Sequence, residues 1–329
     1  MSESCCCSGG CCGAPAIQTV STRLTFKDRL GGWKVRWGIG RMSYTVDPGL
    51  YAVGAPDETS PVLVSANYKL TFDSLRKELS GVNCWLMILD TKGVNVWCAA
   101  GKGTFGTDEL INRISKTGLA ETVSHRTLIL PQLGAPGVNS NEVKRQTGFS
   151  VIYGTVRARD IKAFLEAGNK ATDEMRIVKF TMYDRLVLTP LEIVPAAKKS
   201  LVVFGIMFLL NLFLPKPFGL TDFIAYAGMV LVGTVVTPVL LPFIPGRAFA
   251  FKGALLGLLW AVFAVWYLDV CYGYLLILPS ISAYLAMNFT GASTYTSPSG
   301  VLKEMKIALP FIIGGLGLGI VLLLIGRFL

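Results

Sequence analysis

Two hydrophobic rhythms divide the chain. Between residues 61 and 190, short apolar runs alternate with segments whose apolar residues return every three or four positions. The runs at 61–66, 84–90, 127–130 and 149–153 are nearly continuous in apolar residues and read as buried strands. Between them, 71–80 places Phe72, Leu75 and Leu79 on one helical face and stops at Gly81. Thr107 opens a helix with Asp108 and Glu109 in its first turn, Leu110, Ile111 and Ile114 along its stripe, and Gly118 at its end. Further helices are predicted at 140–147 and 158–167, the second turning Ile161, Phe164 and Leu165 inward, and a last strand near 185–188. Residues 23–60 carry aromatics and glycines without a clear period and read as short strands or irregular structure. Apolar strands alternating with helices predict an α/β fold, a doubly wound parallel sheet with helices on both faces.

From Leu201 the alternation ends. Apolar spans occupy 200–214, 222–244, 249–268, 270–289 and 306–326. The first is short for a hydrocarbon layer of about 30 Å and is expected to extend into 196–218. This half predicts an all-α membrane domain of five transmembrane helices. The expected organisation is a flexible Cys-rich tail over 1–22, a ligand-binding domain over 23–190, a linker over 191–200 and the membrane domain over 201–329.

Composition strengthens the membrane reading. The chain is 52% hydrophobic and only 16% charged, where a soluble domain has about a quarter of its residues charged. Its net charge of +10 suits anionic lipid headgroups. No zinc-finger spacing or basic-aromatic face points to nucleic acid. Arg247, Lys252, Lys303 and Lys306 fall in loops on one side, against Lys216 and Arg327 on the other. That bias predicts the first domain in the cytoplasm, at a bacterial or archaeal inner membrane. The first residues are Ser, Gly and Cys rather than the apolar run of a secretory signal, which agrees. No charged pair is expected within the spans to mark an ion path. Five of the eight cysteines, Cys5, Cys6, Cys7, Cys11 and Cys12, cluster in the tail. In a reducing compartment such a cluster points to metal binding rather than disulfides.

In an open parallel sheet, ligands bind beyond the carboxyl ends of the strands. Three loops expected there are rich in small residues: 91–106, 130–137 and 153–157. Small residues let backbone approach a large flat ligand. Gln132, Leu133, Gly134, Ala135, Gly154 and Val156 are candidate contacts from the second and third loops, and Thr71 from the helix at 71–80. The first loop is not a Walker A loop, because Val96 stands where its first glycine belongs and Gly103 where Ser or Thr belongs. Gly101, Gly103 and Gly106 have dinucleotide spacing, but the helix starts only after Phe105 and Gly106. Cys98 is the distinctive residue. A free cysteine is commonly a small buried hydrophobe. This one lies in a strand-end loop near Lys102, where a cation and helical amides favour the thiolate, a soft metal ligand.

Asn95-Val-Trp-Cys-Ala-Ala-Gly-Lys102 resembles the cap-helix motif of the HgcA family, the membrane corrinoid proteins of bacterial mercury methylation. The likeness extends over about 45–329: a domain similar to the large subunit of the corrinoid iron–sulfur protein, then five spans. It implies that 23–190 binds a cobalamin-type corrinoid at the sheet's mouth. Asn95, Val96, Trp97, Cys98, Ala99, Ala100, Gly101 and Lys102 would contact it, with Cys98 as lower axial ligand to cobalt. It further implies methyl transfer to inorganic Hg(II), a ferredoxin-like electron donor with two 4Fe–4S clusters, and a methyltetrahydrofolate-type methyl donor system. A thiolate opposite the methyl group pushes electron density onto cobalt, which favours departure as a carbanion or radical. The histidine-ligand motif D-x-H-x-x-G is absent; the single histidine is His125, within Val-Ser-His-Arg. The tail thiols Cys5, Cys6, Cys7, Cys11 and Cys12 are candidates for capturing Hg(II). Two other readings stand beside this one. A corrinoid methyl carrier of one-carbon metabolism would have the same fold and another acceptor. A soft-metal transporter should place paired thiols in its spans, which hold only Cys271.

Overall fold

The structure, a computed structural model, describes residues 17–293, 295 and 297–328. Cys5, Cys6, Cys7, Cys11 and Cys12 lie outside the described residues. The described chain forms two compact units. One contains the residues up to Val35 and Gly40–Val178; the other contains Arg36–Ile39 and the chain from Lys179.

The first unit is built from β1 (Gln18–Val20), α1 (Phe26–Arg36), β2 (Gly49–Val53), β3 (Val62–Ala66), α2 (Lys69–Glu78), β4 (Cys84–Leu89), α3 (Val96–Lys102), α4 (Thr107–Lys116), α5 (Leu119–Thr122), β5 (Thr127–Leu130), α6 (Ser140–Thr147), β6 (Ser150–Tyr153) and α7 (Ile161–Glu166). The strands make one sheet in the order β1-β2-β4-β3-β5-β6. β4, β3, β5 and β6 are parallel, with β4 on one side of β3 and β5 and β6 on the other. The sheet is nevertheless mixed, not wholly parallel as expected: β2 runs antiparallel to β4 and carries β1 on its outer side. A parallel return from β2 to β3 needs a crossover of about a dozen residues or more, and 54–61 is too short for one.

Alternate residues of each strand serve opposite faces. Val62, Val64, Ala66, Met87 and Leu89 pack with Val96 and Ala99 of α3, Leu110 and Ile114 of α4 and Val143 of α6. Leu63, Leu86, Ile88 and Ile129 pack with Phe72 of α2, with Leu79 just after it, and with Ile161 and Phe164 of α7. Both faces are covered, which explains why the strands read as continuous apolar runs.

α1 and β1 lie where the sequence predicts irregular structure and tail. Thr25 and Asp28 cap α1 reciprocally: the Thr25 N–H donates to Asp28 Oδ2 (3.0 Å) and the Asp28 N–H to Thr25 Oγ1 (3.2 Å). Gly31 and Gly32, poor helix formers, conceal the element. They are also what lets it sit close: a Cβ on Gly31 would lie 2.5 Å from the Tyr44 hydroxyl. Four charges then fasten α1 to α2. Lys69 Nζ reaches Asp28 (2.6 Å) and Asp73 (2.7 Å), and Arg76 reaches Asp28 and Asp73 at 2.8 Å each. Burial opposes ionisation of Asp28, but hydrogen bonds from Lys69, Thr25 and Arg76 outweigh it and hold the carboxyl well below the usual range.

The second unit contains five helices long and apolar enough to cross a membrane: Met182–Leu210, Leu220–Leu240, Phe249–Tyr267, Tyr274–Gly291 and Ser299–Phe328. The expected strand near 185–188 is helix instead. Thr181 and Asp184 form a capping box, and the helix runs on through 191–200, where a linker was expected. A short apolar run does not distinguish strand from helix by period, and here the cap decides. Within Leu220–Leu240 the turn Val232–Val236 is a π-helix. Pro238 has no N–H to return to the preceding turn, and the Thr237 hydroxyl donates to the Val232 carbonyl (2.8 Å). A charged pair joins two of these helices at their ends, with Arg327 just beyond the predicted span 306–326. Asp222, 2% exposed, pairs with Arg327, which also donates to the Pro217 carbonyl (3.1 Å). The pair sits at the ends of its helices, where hydropathy averaging hides it.

The Asp28 network carries a prediction. Asp28→Asn leaves Lys69 and Arg76 short of a partner and should loosen residues 17–36 by about 3 kcal/mol, read as faster amide exchange there. Because the folded Asp28 carboxyl is the more acidic state, its contribution is complete above the unfolded value of about 3.9. It fades as pH falls below that value. Wild-type amide protection in this segment, corrected for the intrinsic exchange rate at each pH, should therefore fall at acid pH towards that of the variant.

Candidate functional site

The parallel strands β3, β4, β5 and β6 all end on one edge of the sheet, so the loops that follow them emerge together. The buried amide of Asn67, directly after β3, organises this edge. Its Oδ1 accepts from the Thr91 N–H (3.1 Å), the Thr91 hydroxyl (2.9 Å) and the Gly93 N–H (3.0 Å). Its own N–H donates to the Leu89 carbonyl (3.0 Å). Thr91 Oγ1 also lies 2.7 Å from the Val94 carbonyl, so its single proton is shared between that oxygen and Asn67 Oδ1. The exit of β3 thus fixes the turn after β4.

That turn delivers α3. The Asn95 side chain caps it by accepting from the Cys98 N–H (2.9 Å), and Gly103, at φ 80°, ends it. Of the predicted contacts, Val96, Ala99 and Ala100 face the core, whereas Trp97, Cys98, Gly101 and Lys102 are exposed. The thiol of Cys98 is therefore on the outward face and is not a core hydrophobe. Cys84 is the contrast. It is fully buried in β4, and burial pushes its thiol up to about 12.

The segment Gln132–Gly137, a 3-10 turn, is the floor beside α3. A Cβ on Gly134 would lie 2.5 Å from the Phe105 ring, and one on Gly137 would meet the Phe105 carbonyl and Ala100. Glycine is required at both places. Leu133 packs on the core cluster, and Ala135 is half-buried. Gln132 Oε1 accepts from Arg176 (2.7 Å). In the third loop the buried Gly154 donates its N–H to Leu130 (2.8 Å), and Val156 donates to Met175 (2.8 Å). Thr71 lies half-buried in the first turn of α2, its N–H on the Tyr68 carbonyl (2.9 Å). The single histidine is remote from this edge in role: its ring contacts the Ser60 carbonyl (2.9 Å) and the Thr127 N–H (3.2 Å), at the start of β5.

Charges around the turn are paired. Asp90 is held below the usual carboxylate range chiefly by its hydrogen bond from Lys92. Glu109 accepts from the Asp90 N–H (2.9 Å) and from Arg113 (2.7 Å), tying α4 to the same turn. Among the described residues, no group of three or more His, Cys, Asp or Glu side chains is arranged to hold a bare metal ion. Cys98 is thus a single soft donor. Asn67, Thr91 and Glu109 were not among the predicted residues. The signal for Asn67 was present, as a lone amide immediately after an apolar run.

Residues 40–165 match the family model of the CO dehydrogenase/acetyl-CoA synthase delta subunit. The chain is 36% identical over 127 residues to the acetyl-CoA decarbonylase/synthase complex subunit gamma of Methanocaldococcus jannaschii, covering 38% of this chain and 26% of that protein. The same subunit of Methanopyrus kandleri is 36% identical over 123 residues, covering 37% and 26%. Subunit gamma 2 of Methanosarcina thermophila is 40% identical over 99 residues, covering 29% and 21%. The chain thus spans about a quarter of the length of these relatives. The family-model match runs from just before β2 through α7 and includes α3.

Two outcomes are expected. Asn67→Leu strands the buried donors of Thr91 and Gly93 and should cost about 2 kcal/mol. Amide exchange across 91–106 should rise while β3 and β5 change less. In the folded full-length protein, a maleimide should modify Cys98 rapidly and leave Cys84 unmodified until the unit unfolds, as read by peptide mass mapping.

Proposed function

We propose that this chain is a membrane-anchored corrinoid protein that carries a methyl group to an acceptor. The observation that carries the reading is the outward thiol of Cys98 on a doubly capped helix at the mouth of the sheet, within the segment similar to the acetyl-CoA decarbonylase/synthase subunits.

The residues fit a corrinoid. One soft donor suits a metal whose remaining ligands come from a macrocycle. Gly101 stands one helical turn from Cys98, and a Cβ there would meet nothing within 4 Å. The fold does not need glycine at that position; a flat ligand held by Cys98 would use the room it leaves. Trp97, 41% exposed, and Lys102 flank the thiol. Gln132, Leu133, Ala135, Val156 and Thr71 come from the neighbouring loops and α2, while Gly134 and Gly154 keep backbone close. Asn95 aims α3, and Val96, Ala99 and Ala100 hold it to the core. When bound, the corrinoid supplies a cobalt that accepts and releases a methyl group. Cys98 would hold that metal through its sulfur, and the surrounding loops would orient the ring.

The relatives favour a methyl carrier of one-carbon metabolism over mercury methylation as the setting. Transfer to Hg(II) is the second reading, favoured by the exposed Cys98 in its Asn95–Lys102 context. The Hg(II) reading would call for two external electrons per methyl carbanion transferred, from a ferredoxin-like protein with two 4Fe–4S clusters; the carrier reading would call on that donor only for reactivation after oxidation. In both, the methyl group would come from a methyltetrahydrofolate-type donor system. The five apolar helices anchor the chain in an inner membrane with the corrinoid unit in the cytoplasm. The tail thiols Cys5, Cys6, Cys7, Cys11 and Cys12 belong to the Hg(II) reading as capture groups.

The full-length protein should bind cobalamin. The electron paramagnetic resonance spectrum of the Co(II) form should lack nitrogen superhyperfine splitting, and Cys98→His should introduce it. Gly101→Leu should weaken binding about tenfold without loosening α3, since leucine is the better helix former. Equal affinity in that variant would overturn the proposed ring position. Methylcobalamin-loaded protein that yields methylmercury from Hg(II), with no product from Cys98→Ala, would support the second reading. No product from loaded wild type would leave the carrier reading alone.

A further inference from the structure

One surface of the first unit has no part in the site described above. In α1, Phe26, Leu30 and Trp33 recur at i, i+4 and i+7, the spacing of a single helical face. All three are exposed, Phe26 by 79% and Trp33 by 57%. The opposite face is fixed. Val35 is buried, Gly32 lies against Leu70, and Asp28 is held by Lys69 and Arg76. The helix cannot roll its apolar stripe inward without breaking that network. Lys27, Arg29 and Lys34 flank the stripe, all exposed. Among the described residues no carboxylate pairs with them. The one acidic residue of α1, Asp28, is turned to the other side.

We propose that α1 is an interfacial helix that lays Phe26, Leu30 and Trp33 into an anionic lipid surface while Lys27, Arg29 and Lys34 meet the headgroup phosphates. An apolar stripe bordered by cations is the pattern of helices that lie in the plane of a bilayer interface. A tryptophan on that stripe suits the headgroup level, and each cation near an anionic surface adds attraction. A protein partner would require carboxylates around an apolar groove. The occupant argued for here is lipid, because the same chain carries five helices of membrane length. The proposal rests on that membrane reading, and its test separates the two.

The experiment places p-benzoylphenylalanine at position 33, or at Lys144 on α6 as a control, in the full chain in nanodiscs. The discs contain phosphatidylcholine alone or mixed with phosphatidylglycerol, and photo-adducts are identified by mass spectrometry. Phospholipid adducts at position 33, absent at 144 and enriched in the anionic discs, are expected. The triple variant Lys27→Glu, Arg29→Glu, Lys34→Glu should lower their yield about fivefold. Incorporation into discs without lipid adducts at 33, adducts only to protein, or equal adducts at 33 and 144 would overturn the interfacial role and leave the membrane reading intact. A chain that does not enter discs at all would overturn both.

Discussion

The side-chain carbonyl of Asn67 is the contact on which the mouth of the first unit depends. It sits at the end of β3, a strand flanked on both sides by parallel neighbours, and gathers three donors from the turn after β4. Everything beyond that turn inherits its position. Asn95 starts α3, Gly103 ends it, and Cys98 is aimed between them. A seven-residue helix has no independent stability in water. Its existence is owed to these two caps and to Val96, Ala99 and Ala100 pressed against the core. The thiol is therefore located by a succession of local hydrogen bonds that begins more than thirty residues earlier in the chain.

The two units hold together by different means. In the first, apolar faces on both sides of the sheet supply the core, and a four-charge network adds α1 at its margin. In the second, a buried cluster that includes Met229, Val265 and Leu278 is joined by close backbone approach. A Cβ on Gly253 would lie 2.5 Å from Ala286 Cβ, and one on Gly257 would lie 2.6 Å from Ser282 Cβ. Glycines four apart let Phe249–Tyr267 and Tyr274–Gly291 meet nearly backbone to backbone, the kind of packing that works where lipid offers no hydrophobic drive.

Much of the fold was legible because its strands are apolar on both faces and its helices carry clear stripes. The strand at 127–130 and the helix at 140–147 sit where the pattern places them. Legibility failed where one local preference competed with another. Gly31 and Gly32 argue against a helix that capping and charge pairing nonetheless secure. The Leu-Val-Leu run at 186–188 reads as strand, yet Thr181 and Asp184 start a helix just before it. The antiparallel course of β2 is set by the length of 54–61, a property that no periodicity records. At the site, Cys98 stood out by its composition and surroundings. Asn67 did not, because its importance lies in which donors the fold brings to it, and those come from the far side of β4.

The contrast between the two thiols of the first unit sets how that unit meets oxidants. Cys84 is sealed in the sheet with its thiol pushed up to about 12, and Cys98 is open to solvent. Peroxide arriving at Cys98 forms a sulfenic acid, and among the described residues of the unit no second accessible sulfur stands ready to condense with it. Within those residues, then, no internal disulfide offers the usual refuge from further oxidation. Its recovery falls to thiols outside those residues, whether of this chain or of another molecule, and without them the oxidation proceeds to the irreversible acids.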